Sequence, residues 1–133
     1  MIKTISKEKT YVPKFDNNRD LPSNDQIVVT YKAATIELKN KIISRPTAVG
    51  DFDETGRSRG MKIEFKVDDE AYLRNMIVSI SGAGYQEGDG KEVKHIKTAA
   101  DLLKAPICFE PLIGELVELF REELTVTAVD EKN

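Results

Sequence analysis

The sequence contains few of the residues on which catalysis and metal binding depend. Among its 133 residues there are one cysteine, one histidine and no tryptophan. The single cysteine, Cys108, cannot form an intrachain disulfide, and its apolar neighbours Ile107 and Phe109 predict a buried, unreactive thiol. The single histidine, His95, cannot form the histidine cluster of a zinc site, and it is expected at the surface. We therefore expect no catalytic residue, no metal site and no cofactor, and so not an enzyme.

Long apolar runs and an excess of basic residues are also missing. No stretch approaches the roughly 20 apolar residues of a membrane span, and the first residues lack the apolar core of a secretory signal. Lysine and arginine number 20 against 23 aspartates and glutamates, which gives a net charge of −3. Because nucleic-acid binding usually requires a basic excess, we do not expect nucleic acid as a partner. Because no apolar span and no secretory signal are found, we expect no membrane partner and a cytoplasmic location.

The length and composition are those of one globular domain. A domain usually takes about 100–200 residues, and 40 % of this chain is hydrophobic. We predict a single α+β domain over residues 26–133, in which two or three antiparallel strands pack with three or four helices. Strands are predicted over residues 26–32, where β-branched residues dominate, and over residues 61–67, where apolar and charged residues alternate.

Residues 1–25 are predicted to form a flexible N-terminal arm. The run DNNRDLPSND within it is rich in residues that hydrogen-bond to their own backbone and favour turns. The arm is either a terminus without a role or a segment that becomes ordered on a partner. In the second case its apolar anchors are Tyr11, Val12 and Phe15.

Capping residues and apolar spacing predict helices in the middle of the chain. Thr35 and Thr98 are suitable N-cap residues, and Asp101 follows Thr98 at the spacing of a capping box. The predicted helices cover residues 35–43, about 69–79 and 98–105. The segment MIVSIS, at the end of the second of these, can also form a strand. The predicted loops cover residues 50–60 and 81–95.

The most periodic segment of the chain runs from Glu110 to Leu124. Its apolar residues recur at helical spacing, at Leu112, Ile113, Leu116, Val117, Phe120 and Leu124. In this amphipathic C-terminal helix the side chains of Leu116, Phe120 and Leu124 either close the core or receive a helix of a client protein. In a chain of this size the core is the expected use.

The C-terminal end is acidic. Residues 110–133 hold seven acidic and two basic residues, which gives this segment a local charge of −5. The charge is either the solvated face of the helix or a surface that steers a basic protein partner towards the chain.

Two loop motifs fail as cofactor sites. Residues 51–56 resemble the opening of a calcium loop, but Lys62 stands at the twelfth position, where a glutamate is needed. The glycine-rich run 82–91 ends in Gly-Lys, but Glu92 follows where a phosphate-binding loop needs serine or threonine. Neither run predicts a cofactor.

The order of segments resembles a known family. From about Leu73 the chain reads LRNMIVSISG, EGDGKEV, IKTAADLLKAP and PLIGELVELFREEL, and an earlier segment reads DLPSNDQIVVTYKAATIEL. In these segments the chain resembles the small tail assembly chaperones of long-tailed phages and prophages. The resemblance implies a non-enzymatic accessory protein in the bacterial host cell, which binds the tape-measure protein and helps tail-tube subunits to assemble.

Two other functions stay open from the sequence. The chain can be a structural component of the virion, such as a tail or neck subunit, or, less favoured, a small ligand-binding regulator or enzyme. As an assembly factor or a virion component the chain acts through protein–protein contacts, and it can be a homo-oligomer. The predicted partner-binding residues are Tyr11, Val12, Phe15, Leu116, Phe120 and Leu124.

Overall fold

The computed structural model describes residues 1–43, 47–52, 54–64 and 69–130, and for residues 47–52, 58–64 and 126–130 it describes the backbone only. The strands are β1 (Glu8–Tyr11), β2 (Val28–Lys32), β3 (Thr47–Phe52), β4 (Ser58–Glu64), β5 (Ile77–Ser81), β6 (Ala83–Tyr85) and β7 (Lys94–Ile96). The α-helices are α1 (Ile36–Ile42), α2 (Asp69–Met76), α3 (Ala99–Leu103) and α4 (Glu110–Asp130). Two short 3-10 helices cover Phe15–Asp20 and Ile107–Phe109.

The predicted single α+β domain is confirmed, and the strand pairs described are all antiparallel. The described part of the chain has seven strands in three sheets, β1-β2-β5, β3-β4 and β6-β7, which is more than the two or three strands expected. Strands as short as the three residues of β6 and β7 contain too little alternation to be recognised from a sequence.

The sheet β1-β2-β5 carries the core on one face. On β2 the side chains of Val29 and Tyr31 are buried, and in register they face Ile80 and Ile77 of β5, which are buried too. The residues between them point to the other, more exposed face of the sheet. The strand predicted over residues 26–32 is thus confirmed, since apolar residues with a period of two mark the face that packs on the core.

Helices α2 and α4 cover the apolar face of this sheet and pack against each other. The α4 residues that are at most 4 % exposed are Leu112, Leu116, Val117, Phe120 and Leu124. Helix α2 adds the buried side chains of Tyr72, Leu73 and Met76. The ring centroids of Tyr31 and Phe120 lie 5.4 Å apart, so α4 sits directly on β2. The amphipathic C-terminal helix is therefore confirmed, and its apolar stripe closes the core.

Both predicted N-caps are present. The Thr35 hydroxyl oxygen accepts a hydrogen bond from the Leu38 amide at 3.0 Å, and that of Thr98 accepts one from the Asp101 amide at 3.1 Å. The Asp101 carboxylate accepts a hydrogen bond from the Lys97 amide at 3.1 Å, and this bond lowers the pKa of the Asp101 carboxyl. These caps fix where α1 and α3 begin, as the sequence predicted.

Helix α2 ends earlier than the predicted boundary near residue 79. It stops at Met76, and Ile77–Ser81 forms β5, which is the strand alternative for MIVSIS. Ile77 and Ile80 can then face Tyr31 and Val29 in the sheet. Burial of these β-branched side chains in the sheet outweighs the local helical spacing.

The structure corrects the arm predicted over residues 1–25. Residues 1–6 lack regular structure and are exposed throughout, and residues 12–14 and 21–25 are irregular connections between regular elements. Residues Glu8–Tyr11 pair with β2, and the 3-10 helix Phe15–Asp20 follows. The sequence pattern missed this packing because the groups that hold the segment lie far away along the chain.

Asn18 ties the N-terminal segment to the start of β2. Its side chain is 2 % exposed, and its amide nitrogen donates to the carbonyl oxygens of Pro13 at 2.9 Å and Ile27 at 3.0 Å. Its amide oxygen accepts a hydrogen bond from the Ile27 backbone N–H at 2.6 Å. One side chain therefore pairs with both backbone groups of Ile27, as a neighbouring strand would.

Cys108 is exposed, so the prediction of a buried thiol is wrong. The 3-10 helix Ile107–Phe109 turns Phe109 into the core and leaves Ile107 83 % exposed. With three residues per turn, the side chains of such a helix point in three directions, and here one of them faces the core. Apolar neighbours in sequence were therefore not neighbours of the thiol in space.

Strands extend into both predicted loops. β3 extends to Phe52 and β4 begins at Ser58, so the exposed turn over residues 54–57 replaces most of the loop expected over 50–60. Residue 53 of the rejected calcium motif, and residues 65–67 of the predicted strand, lie outside the described residues. The loop expected over 81–95 contains β6 and β7. It starts at Gly82, where φ is +77° and an added Cβ would lie 2.2 Å from the Gln26 carbonyl oxygen.

We predict that Asn18→Ala lowers the free energy of unfolding by about 2–3 kcal/mol, because it leaves buried backbone groups of Pro13 and Ile27 without partners. Urea denaturation followed by circular dichroism measures this change. Asn40→Ala, at an exposed position of α1, is the control and should change stability by less than about 0.5 kcal/mol. Equal effects of the two substitutions would contradict the role given to Asn18.

Candidate partner-binding site

One carboxylate on α4 holds the N-terminal segment against the domain. The Glu115 carboxylate accepts hydrogen bonds from the Tyr11 hydroxyl at 2.6 Å, the Lys14 amide at 2.7 Å and the Phe15 amide at 3.0 Å. We call this set of bonds the Glu115 anchor. It satisfies two backbone N–H groups that follow the end of β1, and it fixes where the chain leaves the sheet.

A second acidic residue, Glu123, lies about two turns after Glu115 on α4 and contacts β1. The Lys9 ammonium lies 2.9 Å from a Glu123 carboxylate oxygen, and the Tyr31 hydroxyl donates to the other oxygen at 3.3 Å. Lys9 and Glu123 are partly exposed, so their ion pair contributes no more than about 1 kcal/mol. Part of the acidic surface of α4 is thus used inside the chain.

The two tyrosine hydroxyls stay protonated to unusually high pH. Burial, the hydrogen bond to Glu115 and the negative charge of that carboxylate raise the pKa of Tyr11 to about 12. Burial, the negative charge of Glu123 and the hydrogen bond to it raise the pKa of Tyr31 to about 12. Both phenols are therefore hydrogen-bond donors to α4 at any physiological pH.

An open crevice of about 510 Å³ lies beside the anchor, and we call it the Phe15 crevice. The Phe15 and Phe109 rings stack with centroids 5.8 Å apart, and the Tyr85 ring lies 6.2 Å from that of Phe109. The residues lining the crevice are Phe15, Asp16, Asn18, Leu21, Asp25, Ile27, Gly82, Ala83, Gly84, Cys108, Phe109 and Pro111.

The crevice combines an apolar floor with carboxylates at its rim. Asp16 and Asn17 have φ angles of 49° and 57°, a left-handed conformation that residues other than glycine adopt at some cost. Asp16 and Asp25 bring negative charge, whereas the exposed Cys108 brings a thiol. The lining thus offers apolar surface beside two carboxylates. A long side chain that ends in a positive charge, such as that of lysine or arginine, has the chemistry to contact both.

The predicted partner-binding residues occupy two different places. Leu116, Phe120 and Leu124 are buried in the core, so their use as a docking surface is corrected in favour of the core alternative. Tyr11, Val12 and Phe15 are half-buried against the domain itself. Tyr11 and Phe15 meet α4 through Glu115, the residue that precedes Leu116.

The exposed surface that the sequence did not single out lies before β1. Ile2 is 97 % exposed and Ile5 is 73 % exposed, and Met1 is also fully exposed. Ile5 and Leu38 line a groove of about 360 Å³ between this N-terminal end, the end of β2 and α1. The alternation of lysine with isoleucine in MIKTISK was the sequence signal for such a surface.

His95 is exposed, as predicted. Within the described ranges, no three histidine, cysteine, aspartate or glutamate residues are grouped so that they could hold a metal ion. Among the helices of the same ranges, none is long and apolar enough to span a membrane.

We predict that Glu115→Ala releases the N-terminal segment. Hydrogen exchange should become faster at the Lys14 and Phe15 amides, which lose their acceptor, and stability should fall by about 2 kcal/mol. Amide exchange followed by mass spectrometry measures the first effect and urea denaturation the second. Glu118→Ala removes an exposed carboxylate with only a 3.8 Å pair to Arg121, and it should leave the exchange of the segment unchanged.

We predict that stability declines between pH about 10 and about 12 through these tyrosines. Because both pKa values are raised in the folded state, the native chain holds the phenol protons longer than the unfolded chain. Their contribution is complete below pH 10 and is lost as the pH rises to about 12. In denaturation curves across this range, the double variant Tyr11→Phe/Tyr31→Phe should lose less stability than the native chain. An identical decline in both would show that lysine titration alone is responsible.

Comparison with known proteins places the chain in no family. No protein-family model, no curated protein and no solved structure matches it. The function proposed below is therefore drawn from the surface of the chain and from the resemblance of its sequence segments to the tail assembly chaperones.

Proposed function

We propose that the chain is a non-enzymatic tail-assembly accessory protein of a phage or prophage. It acts like a chaperone, through protein–protein contacts with the tape-measure protein or the tail-tube protein in the cytoplasm of the host cell. The resemblance of its sequence segments supports the family, and the exposed N-terminal end supports the mode of action.

The observation that carries this proposal is the apolar end of the chain. Met1, Ile2 and Ile5 are all large apolar side chains that the domain leaves exposed. Isolated apolar residues at a surface are ordinary, but three within one short segment favour contact with another protein. Lys3 lies between Ile2 and Ile5, Lys7 follows them, and these charges keep the segment soluble until it is covered.

The strand that follows supports the same use. β1 is an edge strand, and the Ala33 amide donates to the Lys7 carbonyl at 2.9 Å. Because hydrogen bonding alternates along an antiparallel pair, Lys9 and Tyr11 also face β2, whereas the backbone groups of Glu8 and Thr10 point away from it. An extended segment of a partner can add to such an edge through main-chain hydrogen bonds.

The test is co-expression with the tape-measure protein and the tail-tube protein of the same phage or prophage. The chain should co-elute with one of them in size-exclusion chromatography and increase the soluble fraction of that client. It should be missing from purified tails when their protein content is measured by mass spectrometry. Presence in finished tails at a fixed stoichiometry would instead identify a structural virion subunit.

Substitutions at the apolar end locate the contact. The double variant Ile2→Ser/Ile5→Ser should weaken client binding at least tenfold, because burial of each isoleucine side chain contributes roughly 1.5–3 kcal/mol to the free energy of binding. The double variant Val93→Ser/Ile107→Ser removes two exposed apolar side chains elsewhere and should leave binding unchanged. Failure of the native chain to bind either tail protein would overturn the proposal.

A further inference from the structure

The groove beside the exposed N-terminal end has a defined shape and charge. We call it the N-terminal groove, and its volume is about 360 Å³. It lies where the residues before β1, the last residue of β2 and the first turns of α1 meet. Its lining residues are Ile5, Lys7, Lys32, Ala33, Thr35, Glu37, Leu38 and Lys41.

The floor of the groove is built from fixed backbone. The Ala33 amide donates to the Lys7 carbonyl at 2.9 Å, which holds the two sides of the sheet end together. The Thr35 hydroxyl caps α1 through the Leu38 amide at 3.0 Å, so Leu38 is held on the first turn of the helix. Ala33 and Leu38 are half-buried and apolar, and Ile5 adds an exposed apolar side chain at the rim.

The rim of the groove is basic. Lys7, Lys32 and Lys41 are exposed, and Glu37 is the single acid among the lining residues. In the part of the chain that the structure describes, none of these three lysines forms an ion pair. The groove therefore has an excess of positive charge around apolar surface, although the whole chain has a net charge of −3.

We propose that the N-terminal groove binds an acidic, apolar segment of the partner protein. Apolar side chains of that segment would cover Ala33, Leu38 and Ile5, and its carboxylates would meet the lysines of the rim. Such charge complementarity fixes the register of an apolar contact and speeds the encounter. The inference deepens the proposed function, since it names the chemistry of the client segment, but the groove can be tested without any tail protein.

The acidic helix α4 of a second copy fits this groove poorly. The acidic residues that α4 exposes, such as Glu118 and Glu122, lie opposite an apolar stripe that is buried in the core. Their exposed neighbours Arg121 and Thr125 supply no large apolar side chain for the floor. Within the described residues, α4 thus has the charge that the groove requires and lacks the apolar surface.

The test uses a fluorescent synthetic peptide in which glutamate alternates with leucine, and a second peptide with lysine in place of glutamate. In fluorescence anisotropy titrations the native chain should bind the acidic peptide and not the basic one, and added salt should weaken binding. The triple variant Lys7→Gln/Lys32→Gln/Lys41→Gln should bind about tenfold more weakly, because the three surface ion pairs with the peptide are lost.

Two controls separate the groove from general attraction to charge. The variant Lys91→Gln/Lys97→Gln/Lys104→Gln removes the same charge at exposed positions outside the groove and should bind as the native chain does. Leu38→Ser changes the floor and should weaken binding without a change in its salt dependence. Equal losses in both lysine variants, or no binding of the acidic peptide to the native chain, would overturn the inference.

The remaining outcomes distinguish this inference from the proposed function. Self-association of the native chain that the groove variant abolishes, measured by light scattering, would make a second copy the occupant and refute the inference. A groove variant that still binds the tape-measure or tail-tube protein with native affinity would refute the groove and leave the proposed function standing. Binding of the acidic peptide without binding of either tail protein would support the groove and refute the proposed function.

Discussion

The position of the N-terminal segment against the domain depends on one carboxylate. Glu115 lies 104 residues from Tyr11 along the chain, yet it accepts hydrogen bonds from that side chain and from two consecutive backbone amides that have no strand to pair with. Without such an acceptor, two N–H groups at the end of β1 would have to stay in water, and the chain could not turn against α4. Asn18 also hydrogen-bonds to backbone groups from its side chain, and it pairs with both the N–H and the carbonyl oxygen of Ile27 just before β2. Between them, these two side chains convert a turn-rich segment into part of the domain.

Because this segment packs against the domain, its aromatic side chains are not exposed for a partner. In sequence, Tyr11 and Phe15 resemble the anchors of a binding arm, but their side chains pack against the core of the domain itself. Lys9 forms an ion pair with Glu123 and so neutralises part of the acidic charge of α4. What stays exposed is the short stretch before β1, together with the N-terminal groove beside it. The acidic helix and the basic end are thus not two independent surfaces, because the Lys9–Glu123 ion pair joins them.

The sequence predicted best what is decided locally. The N-caps at Thr35 and Thr98 are contacts over three residues, and the apolar stripe of α4 repeats within one helix, so both are visible in a sequence. The α+β class, the main strand β2 and the C-terminal helix followed from such signals. The ordered segment after residue 7, the exposed thiol of Cys108 and the boundary between α2 and β5 did not, because each depends on partners that are distant in sequence. The candidate surface was missed for the same reason, since the groove joins Lys7 to Lys32 and Lys41 only after β1 has paired with β2.

The lysines near β1 disfavour two of the ways in which its open edge could pair with a second copy. The outward backbone groups of β1 belong to Glu8 and Thr10, so a second copy would have to pair through these residues. A register centred on Lys9 places Lys9 opposite its own copy, a register centred on Glu8 places Lys7 opposite Lys9, and a register centred on Thr10 places Lys9 opposite Tyr11. Like charges directly opposite each other destabilise a strand pair, and lysine is a common means of blunting an edge. Lys7 thus opposes one register of self-pairing and also lies at the rim of the N-terminal groove, whereas Lys9 is paired with Glu123 on α4.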